Sequence, residues 1–584
     1  MPDRKTLQTH RPRLVRTALW PTVFCGLIPA VAAAQPVERH LPQTPDRPHA
    51  EIVEPALPST ISDDRSLGAP LRALILLGPA DAPFRDSEAK GLNCKAVARL
   101  NTIHEQKFLE PFLGQTISRR LISQIETQIV KRYRASGYPF VQVSTPEQEI
   151  TRGVLQIRVV EFRLGAAKIA GGKPWVQHHV KAAIRTHIGD TISGDRLSED
   201  LDWLNRDPRR VIATTFTPGG KLGESDLTLT ITANRPWGVN ASYANSGSPQ
   251  TGQARYSVGA DVYVHILADE ALSAQATGSP DFWVADGKPF HNSAPRYASA
   301  AGHLQIFTAP RQLLDLTINA VETNAPVQAF IIRQRTIEAT AAYRSALSNI
   351  VPLAGEIGAG LEMSHQARQT FFDGVSVVQT AQNVYQLFGD WSDRWADGLG
   401  STGVDLNLHY SPGGIDGLNT GQALATFTNG RVQRSRYVYG QASVSHQTAL
   451  LWAMTLQTQI NGQYVGRAVP DSQQIALGGQ NAVRGYSLDD GAWDDGAIVR
   501  NDLKGKELRL GQTGGITPRV FVDYGWGRSY AAHLSVQQIS GGLGSDVRLG
   551  NGLGAGVNLA VPIKSGKETR SGVARFEAKV SVAY

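Results

Sequence analysis

The feature that most constrains the fold of this chain is an alternation of apolar and polar residues that fills its C-terminal part. From residue 236 to residue 584 the helical period disappears, and segments with a repeat of two recur. The clearest are 451–461 (LWAMTLQTQIN) and 573–584 (VARFEAKVSVAY), which place apolar side chains on one face and polar ones on the other. Such alternation is typical of β-strands that lie between two different environments.

Two kinds of β-structure produce this pattern. In a soluble sandwich the apolar face is a core, whereas in a transmembrane barrel it meets lipid and the polar face lines a lumen. The strands are long, and Trp and Tyr lie near the ends of their apolar faces, which favours the barrel. A helical membrane protein is excluded because no apolar run of about 18 residues follows the N-terminal region. At roughly 20 residues per strand and loop, 236–584 predicts a transmembrane antiparallel β-barrel of about 16 strands.

The N-terminus has the pattern of a secretory signal peptide. Basic residues end at Arg16, an apolar stretch follows, and Ala32 and Ala34 have A-x-A spacing. We therefore expect residues 1–34 to be a signal peptide cleaved after Ala34. A transmembrane anchor is the weaker alternative, because prolines interrupt an apolar run that is already short. After cleavage Cys94 is the only cysteine, so an internal disulfide is excluded.

Charge limits the partners of the exported chain. The formal net charge is +7, but residues 1–34 hold five basic residues and one acidic residue, so their removal leaves +3. No cluster of Lys and Arg follows, and we therefore expect no nucleic-acid partner.

Between the signal and the barrel the chain predicts an extension and two small α+β units. Residues 35–68 are rich in proline, which favours an extended periplasmic extension or linker. Residues 69–163 and 164–235 each combine short strands with helical periodicity, so a duplicated domain is the simplest interpretation. The predicted helices of the two units are 117–135, 174–187 and 193–208.

Motifs for catalysis are absent from the sequence. There is no G-x-x-x-x-G-K-[ST], no G-x-S-x-G and no H-E-x-x-H, so we expect no enzyme activity, no cofactor and no metal. Residues 550–555 (GNGLGA) nominally fit a dinucleotide motif, but no βαβ pattern surrounds them. The acidic pairs 489–490 and 494–495 are interpreted as solvated loop residues.

One predicted strand places a carboxylate inside the barrel. In 517–527 (TPRVFVDYGWG), the residues of one parity are apolar and should face lipid, namely Val520, Val522, Tyr524 and Trp526. Phe521, Asp523 and Gly525 then face inward. A carboxylate in that position requires a cation, hydrogen-bond donors or a water-filled lumen. Arg484 is the candidate cation, and a charge-assisted pair with Asp523 would hold its loop inside the pore.

These features together resemble a known family. The chain combines a signal peptide, two small α+β units and a barrel with two late motifs. The motifs are V-R-G-Y (Val483, Arg484, Gly485 and Tyr486) and F-x-D-x-G (Phe521, Asp523 and Gly525). This combination resembles the two-partner secretion transporters, which export filamentous haemagglutinins, haemolysins and adhesins. Two further segments, 500–505 (RNDLKG) and 204–210 (LNRDPRR), are similar to segments of that family.

The resemblance implies a site, a location and a set of partners. Residues 69–163 and 164–235 would be periplasmic POTRA domains that take an unfolded partner exoprotein by strand addition, without nucleotide hydrolysis. The barrel would lie in outer-membrane lipid of a Gram-negative bacterium after insertion by the barrel-assembly machinery. The loop with Arg484 would fold inward and contact Asp523. A barrel insertase of the same superfamily is the alternative function.

Three departures from the family pattern are visible. Trp493 in 493–496 (WDDG) stands where the family often has glycine, and the chain ends on Tyr584 where phenylalanine is commoner. Members of the family often begin with a helix that plugs the pore. The prolines in 35–68 argue against such a helix here.

Overall fold

The computed structural model describes residues 37–42, 52, 55, 57–59, 61–83, 88–266, 268–396, 398–550 and 552–584. The predicted signal peptide, 1–34, lies outside the described residues, as does part of the predicted extension 35–68. Among the residues described, no helix combines the length and the apolar character needed to cross a membrane.

The first α+β unit is a four-stranded sheet covered by one long helix. Its sheet has the order β2-β1-β4-β3, with β1 parallel to β2 and β4, and β3 antiparallel to β4. The elements are β1 (Ala73–Leu77), β2 (Gly91–Asn93), α1 (Ile103–Gln106), α2 (Arg119–Ala135), β3 (Val141–Ser144) and β4 (Val154–Glu161).

A capping side chain sets the start of helix α2, and a glycine follows its end. The Ser118 hydroxyl caps it by accepting from the Leu121 N–H at 3.1 Å, and Gly137 follows its end with a φ of +79°. Residues spaced by four along α2 form its buried face, which packs on β1 and β4. The helix thus begins two residues after the predicted start at 117.

The second unit repeats this plan with three strands, in the order β5-β7-β6. Its elements are β5 (Arg163–Ala170), α3 (Pro174–Ala183), α4 (Gly194–Leu204), β6 (Arg210–Pro218) and β7 (Glu224–Ala233). Helix α3 ends four residues before the predicted end at 187. The reason is that the backbone N–H of Arg185 donates to the Asp200 carboxylate at 2.9 Å, while Ile184 is already extended.

The remainder of the chain is a closed antiparallel barrel of 16 strands, which confirms the predicted fold class. The elements in chain order are β8 (Trp237–Ala244), β9 (Arg255–Val264), β10 (Asp269–Gly278), α5 (Pro280–Trp283), β11 (Val284–Ala285), β12 (Lys288–Pro289), β13 (Tyr297–Ala309), β14 (Gln312–Val327), β15 (Phe330–Ala346), β16 (Glu356–Phe372), β17 (Val375–Ala396), β18 (Gly400–Ser411), α6 (Gly421–Phe427), β19 (Tyr437–Ala449), β20 (Thr455–Tyr464), β21 (Ile475–Ala476), β22 (Ala492–Trp493), β23 (Asp495–Lys504), β24 (Leu508–Leu510), β25 (Gly514–Ser529), β26 (Leu534–Leu549), β27 (Leu553–Pro562) and β28 (Arg575–Ala583). The short pairs β11–β12 and β21–β22 are separate from the sheet that forms the barrel wall, and β24 pairs with β25 next to β23.

Pairing of the last strand with the first closes the barrel. Strand β28 pairs with β8 in the register Lys579↔Ala244 to Ala583↔Asn240. The backbone of Tyr584 extends this pairing, because its N–H donates to the Val239 carbonyl at 2.9 Å and its carbonyl accepts in return. Closure leaves no free edge between the two ends of the wall, as a lipid-embedded sheet requires.

The segment 451–461 is only partly a strand. Residues 451–453 form a tight turn, with Trp452 at a φ of +58° and 83% exposed, and β20 begins at Thr455. The N–H of Leu450 donates to the Met454 carbonyl at 2.8 Å, which closes the turn. The prediction that Trp452 belongs to the strand is therefore wrong, because these residues connect β19 to β20.

The second unit is bound to one end of the barrel, here called the near end. Asp200 on α4 accepts from Arg311, at the turn between β13 and β14, at 3.0 Å. Trp203, Leu313 and Ala346 pack together beside this contact. Further ion pairs join 206–210, part of the LNRDPRR segment, to Glu356 and Asp269. The second unit therefore sits against the turns of the barrel through both apolar and charged contacts.

Residues 37–42, within the predicted Pro-rich extension, lie inside the barrel and are called the N-terminal lumen segment. Arg255 of β9 forms an ion pair of 2.6 Å with Glu38, and Arg39 binds Glu338 of β15. The Tyr297 hydroxyl donates to the Glu38 carbonyl at 2.6 Å. These wall side chains are buried by the protein itself, whereas outward residues of the wall such as Ile337 are exposed, so they face the lumen.

The burial of Cys94 gives the first testable prediction. This thiol lies in the core of the first unit, and burial raises its pKa to about 11. Since the thiolate is the reactive form, we expect slow labelling by a maleimide at pH 8 in the detergent-solubilised protein and fast labelling in urea. Cys94→Ser is the control that sets the background. Rapid labelling of the folded protein at pH 8 would contradict the buried position.

Candidate functional site in the barrel lumen

The segment between β20 and β23 does not extend away from the barrel. It folds inward as 465–494, here called the lumen loop. Within this loop the two short strands β21 and β22 pair with each other. The Val483 N–H donates to the Leu477 carbonyl at 2.8 Å. An apolar cluster joins the loop to the wall; its members are Ile475, Leu477, Ala482, Val483, Tyr486 and Ile498. The loop thus has a small core of its own inside the pore.

Arg484 is the centre of the contacts between the lumen loop and the wall. Its Nε donates to Asp523 Oδ2 at 2.7 Å and its Nη2 donates to Oδ1 at 2.6 Å. The backbone N–H of Arg484 also donates to Oδ2, at 3.1 Å. The side chains of Arg484 and Asp523 are 1% and 0% exposed. This bidentate geometry is the strongest that an arginine and a carboxylate form.

A second carboxylate and an aromatic ring complete the surroundings of the guanidinium. Its Nη1 donates to Asp502 of β23 at 2.7 Å, and its carbon lies 3.7 Å from the centre of the Phe521 ring. Arg500 lies opposite Asp523 in the β23–β25 register. The cluster therefore places two arginines and two aspartates together, so that the charge of Arg484 is balanced within the lumen.

The two residues after Arg484 fix the path of the loop. Gly485 has a φ of +87°, and a Cβ there would lie 3.0 Å from the Cβ of Ala560. Its N–H donates to Glu577 of β28 at 2.8 Å. The Tyr486 hydroxyl donates to the Lys564 carbonyl at 2.6 Å and accepts from the Ile539 N–H at 3.1 Å. The V-R-G-Y segment is thus held by β23, β25, β26 and β28.

The inward residues of β25 have separate physical roles. Phe521 stacks on the guanidinium and Asp523 carries its countercharge. Gly525 provides space, because a Cβ there would lie only 2.7 Å from Val483 Cγ2. The outward residues of the same strand include Val520 and Val522, which are both exposed. The alternation predicted for 517–527 is therefore observed.

The acidic pairs of the loop are not solvated as predicted. Asp490 is buried and accepts from the backbone N–H groups of Ser487, Glu568 and Thr569 at 2.7 to 2.9 Å. Asp494 is also buried, and it accepts from the Tyr530 N–H at 2.9 Å. The prediction is wrong for these residues because folding inward brings backbone donors from other loops to them.

The structure also accounts for the departure at Trp493. Its indole packs over Gly527, where a Cβ would lie 2.5 Å from the ring.

Of the site, the sequence predicted Arg484 and Asp523 but missed Asp502 and Glu577. Both residues lie at polar, inward-facing positions, and the apolar–polar alternation of their strands is visible in the sequence. Alternation does not show which strands face the lumen loop, so these two contacts could not be predicted.

Both the barrel and the first α+β unit match models of known protein families. A family model described as haemolysin secretion/activation protein ShlB/FhaC/HecB matches residues 354–549, and one described as POTRA domain, ShlB-type, matches 90–161. Outer membrane transporter CdiB-2 of Burkholderia pseudomallei is 23% identical over 468 residues, 77% of this chain and 75% of that protein. Hemolysin transporter protein ShlB of Serratia marcescens is 23% identical over 490 residues, 82% and 78%.

Solved structures share the whole arrangement. CdiB from Escherichia coli matches with a TM-score of 0.65 at 15% identity, over 90% of this chain and 92% of that chain. CdiB from Acinetobacter baumannii matches with a TM-score of 0.56 at 15% identity, over 94% and 95%. These likenesses show a common fold of α+β units joined to a barrel.

Removing the arginine tests the site. In Arg484→Ala the Asp523 carboxylate stays buried without its partner, which costs about 3–5 kcal/mol. We expect the barrel to form while the lumen loop becomes sensitive to protease, read by digestion of outer-membrane fragments. Arg570→Ala removes an exposed arginine and serves as the control. Equal protection of the loop in Arg484→Ala and wild type would contradict the anchoring role.

The space at Gly525 allows a double-mutant test. The Cβ of Gly525→Ala would collide with Val483 Cγ2, so this variant should loosen the lumen loop and lower the melting temperature. Val483→Ala removes the colliding methyl group and should recover much of the loss in the double variant. Gly541→Ala adds a methyl to β26 whose nearest neighbour is the Phe521 carbonyl oxygen at 3.6 Å, an ordinary contact, and should have little effect. Additive losses in the double variant would show that the two side chains do not meet.

Proposed function

We propose that this chain, which belongs to the two-partner secretion transporters of the outer membrane, exports a large partner protein from the periplasm to the cell surface. The observation that carries the proposal is the joint match of the barrel and the first α+β unit to the ShlB-type family models. The relatives that match along most of the chain are named as transporters.

The path of the partner follows from the arrangement of the molecule. The near end of the barrel is periplasmic because it holds the second α+β unit, and POTRA domains are periplasmic in this family. Sheet edges of the two units offer unpaired backbone groups to an extended chain. The lumen loop and the N-terminal lumen segment both occupy the pore, so passage of a chain requires them to shift.

Within this proposal Arg484 and Asp523 hold the lumen loop in place between transport events. Their pairing is supported by the bidentate contact and by its burial. Residues 483–486 and the inward residues of β25, namely Phe521, Asp523 and Gly525, then act as a positioning site. No chemical step is assigned to them, and we propose that the protein is not an enzyme.

The proposal extends to domain limits and further partners. We propose a signal peptide at 1–34, an extension at 35–68, POTRA domains at 69–163 and 164–235, and a barrel at 236–584. Outer-membrane lipid and the barrel-assembly machinery are the other proposed partners. The exposed apolar residues along the outside of β25 and β28 support contact with lipid.

Secretion of a partner protein tests the function. The partner is sought as a large, repetitive, β-rich protein encoded beside this chain, and its amount in the culture medium is measured with and without the transporter. We expect export to be lost on deletion while the levels of other outer-membrane barrels remain normal. A general loss of barrels with unchanged export would instead support the insertase alternative.

The site variants refine this test. We expect Arg484→Ala to lower secretion per inserted barrel, because the lumen loop loses its anchor, and Arg570→Ala to secrete at the wild-type level. Barrel insertion is measured separately by heat-modifiable migration on gels. Wild-type secretion by Arg484→Ala would contradict a role of this pair in transport.

A further inference from the structure

Four neighbouring strands extend well beyond the lipid-facing band of the barrel. On β15 the band ends after Ile337, because the next outward residue, Arg335, forms an ion pair of 2.7 Å with Glu322. On the next pair of strands, His365 and Asn383 hydrogen-bond at 2.7 Å at about the same height. We call the parts of β14–β17 beyond these residues, 323–334 and 366–382, the outer flap.

The outer flap stands on the far side of the membrane from the α+β units. The opposite ends of these strands meet the second unit, where the Arg185 guanidinium donates to the Ser348 hydroxyl at 2.9 Å. About ten residues of a tilted strand cross the lipid band. At about 3.3 Å per residue, the eight or so residues from Asn383 to the tip rise roughly 25 Å along the strand. The tip itself is a two-residue Asp373–Gly374 turn with positive φ at both positions.

One edge of the flap has no partner strand. Strand β17 pairs with β16 from Val375 onward, but β18 pairs with it only from Leu387. The loop before α6 covers β17 at Asn383, where the N–H of Asn383 donates to the Leu418 carbonyl at 3.0 Å. In the described chain, nothing pairs with 375–380 on that side; we call these residues the flap edge.

The composition of the flap edge is unusual for a free edge. Its sequence is VSVVQT, and Val375, Val377 and Val378 are 65%, 51% and 52% exposed. Natural edge strands are protected by charges, prolines or bulges that prevent pairing with another chain. The flap edge has no charge and no proline, but its pairing with β16 shifts register between Thr370↔Val378 and Phe371↔Ser376, so Val377 is a bulge residue. Its β-branched residues favour the extended conformation. Protection of this edge is therefore limited to one bulge, and no strand pairs with its free side.

Charge argues against a lipid headgroup as the occupant. Arg335 is paired with Glu322, and Arg333 donates to Asn324 at 2.8 Å. Arg368, at the base of the flap, is paired with Asp471 at 3.1 Å. The cations that would attract an anionic headgroup are thus engaged, and the flap edge itself is uncharged.

The position of the flap argues for a chain that leaves the pore. Asp471 belongs to the lumen loop, and Arg368 also lies 4.4 Å from the ring centre of Phe427 in α6. The base of the flap is therefore continuous with the loops at the outer mouth of the lumen. A chain that emerges there in extended form passes the base of the flap, and the flap edge is the unpaired side of the strand that rises from that base.

We infer that the flap edge, 375–380, is an exit docking site that binds the emerging partner protein by strand addition. The segment it takes is uncharged, extended and rich in β-forming residues, because only such a segment continues the sheet without burying a charge. This inference rests on the proposed export function and adds the point of first contact outside the cell.

Cross-linking in cells tests the contact. Full-length transporter with Val378→Cys, in a Cys94→Ser background, is produced with a partner that carries single cysteines along its first exported segment. We expect disulfide cross-links from Val378→Cys to a run of alternate partner positions, as strand pairing dictates. Val284→Cys, 56% exposed on the separate β11–β12 hairpin, is the control and should form few.

Adding charge to the flap edge tests whether export depends on it. In Val375→Lys/Val377→Lys/Val378→Lys we expect secretion per inserted barrel to fall about five-fold, since charge on an edge strand opposes pairing. Ile331→Lys changes an equally exposed apolar residue of the flap whose strand is paired on both sides, and it should secrete like wild type.

The outcomes separate the two proposals. If wild type exports no partner, the proposed function itself fails. If wild type exports normally, either of two results overturns the exit docking site. One is wild-type secretion by the edge variant, and the other is cross-links that join two copies of this chain instead of this chain and its partner.

Discussion

The ion pair of Arg484 with Asp523 is the interaction on which the inner architecture of this barrel depends. A guanidinium at 1% exposure needs acceptors and a countercharge, and the structure places one carboxylate on β25 and another on β23. The same arginine uses its backbone N–H on Asp523, so the main chain of the loop is fixed as well as its side chain. Neighbouring hydrogen bonds then connect the loop to β26 and β28.

The rest of the lumen follows the same principle of paired charge. The N-terminal lumen segment is held through Glu38 and Arg39, which meet Arg255 and Glu338 on the wall. A soluble domain of this size is stabilised by an apolar core, whereas here most apolar side chains of the wall face outward and the interior is mainly polar. Stability inside the pore therefore depends on hydrogen bonds and ion pairs, together with the small apolar cluster of the lumen loop.

The two ends of the barrel differ in how firmly they are covered. At the periplasmic end, Asp200 is shared by Arg185 and Arg311, and Trp203 packs on the barrel turns. This contact holds the second unit at the entrance. At the outer end, the flap rises without a cover and leaves one strand edge unpaired. The two ends thus differ in their contacts. A packed interface holds the second unit at the near end, whereas backbone groups without a strand partner lie at the outer end.

The sequence by itself determined the barrel, its approximate strand number and the inward position of Asp523, because a repeat of two in a strand is a local property. Residue order also located α2, since its apolar spacing of four is a local property. It misjudged the end of α3, the start of β20 and the state of Asp490 and Asp494. For α3 and the two aspartates a hydrogen-bond partner from another segment decides the outcome, whereas β20 starts late because of the local turn closed by Leu450 and Met454.

Only the tertiary structure decided which charges meet. Asp502 and Glu577 become part of the site because ring closure brings β23, β25 and β28 around one loop. Alternation tells which face a residue takes, but the partner across the lumen depends on register and closure of the whole barrel. Those are global properties, so the sequence offers the pairing of Arg484 and Asp523 only as a hypothesis, whereas the structure places the two side chains in bidentate contact.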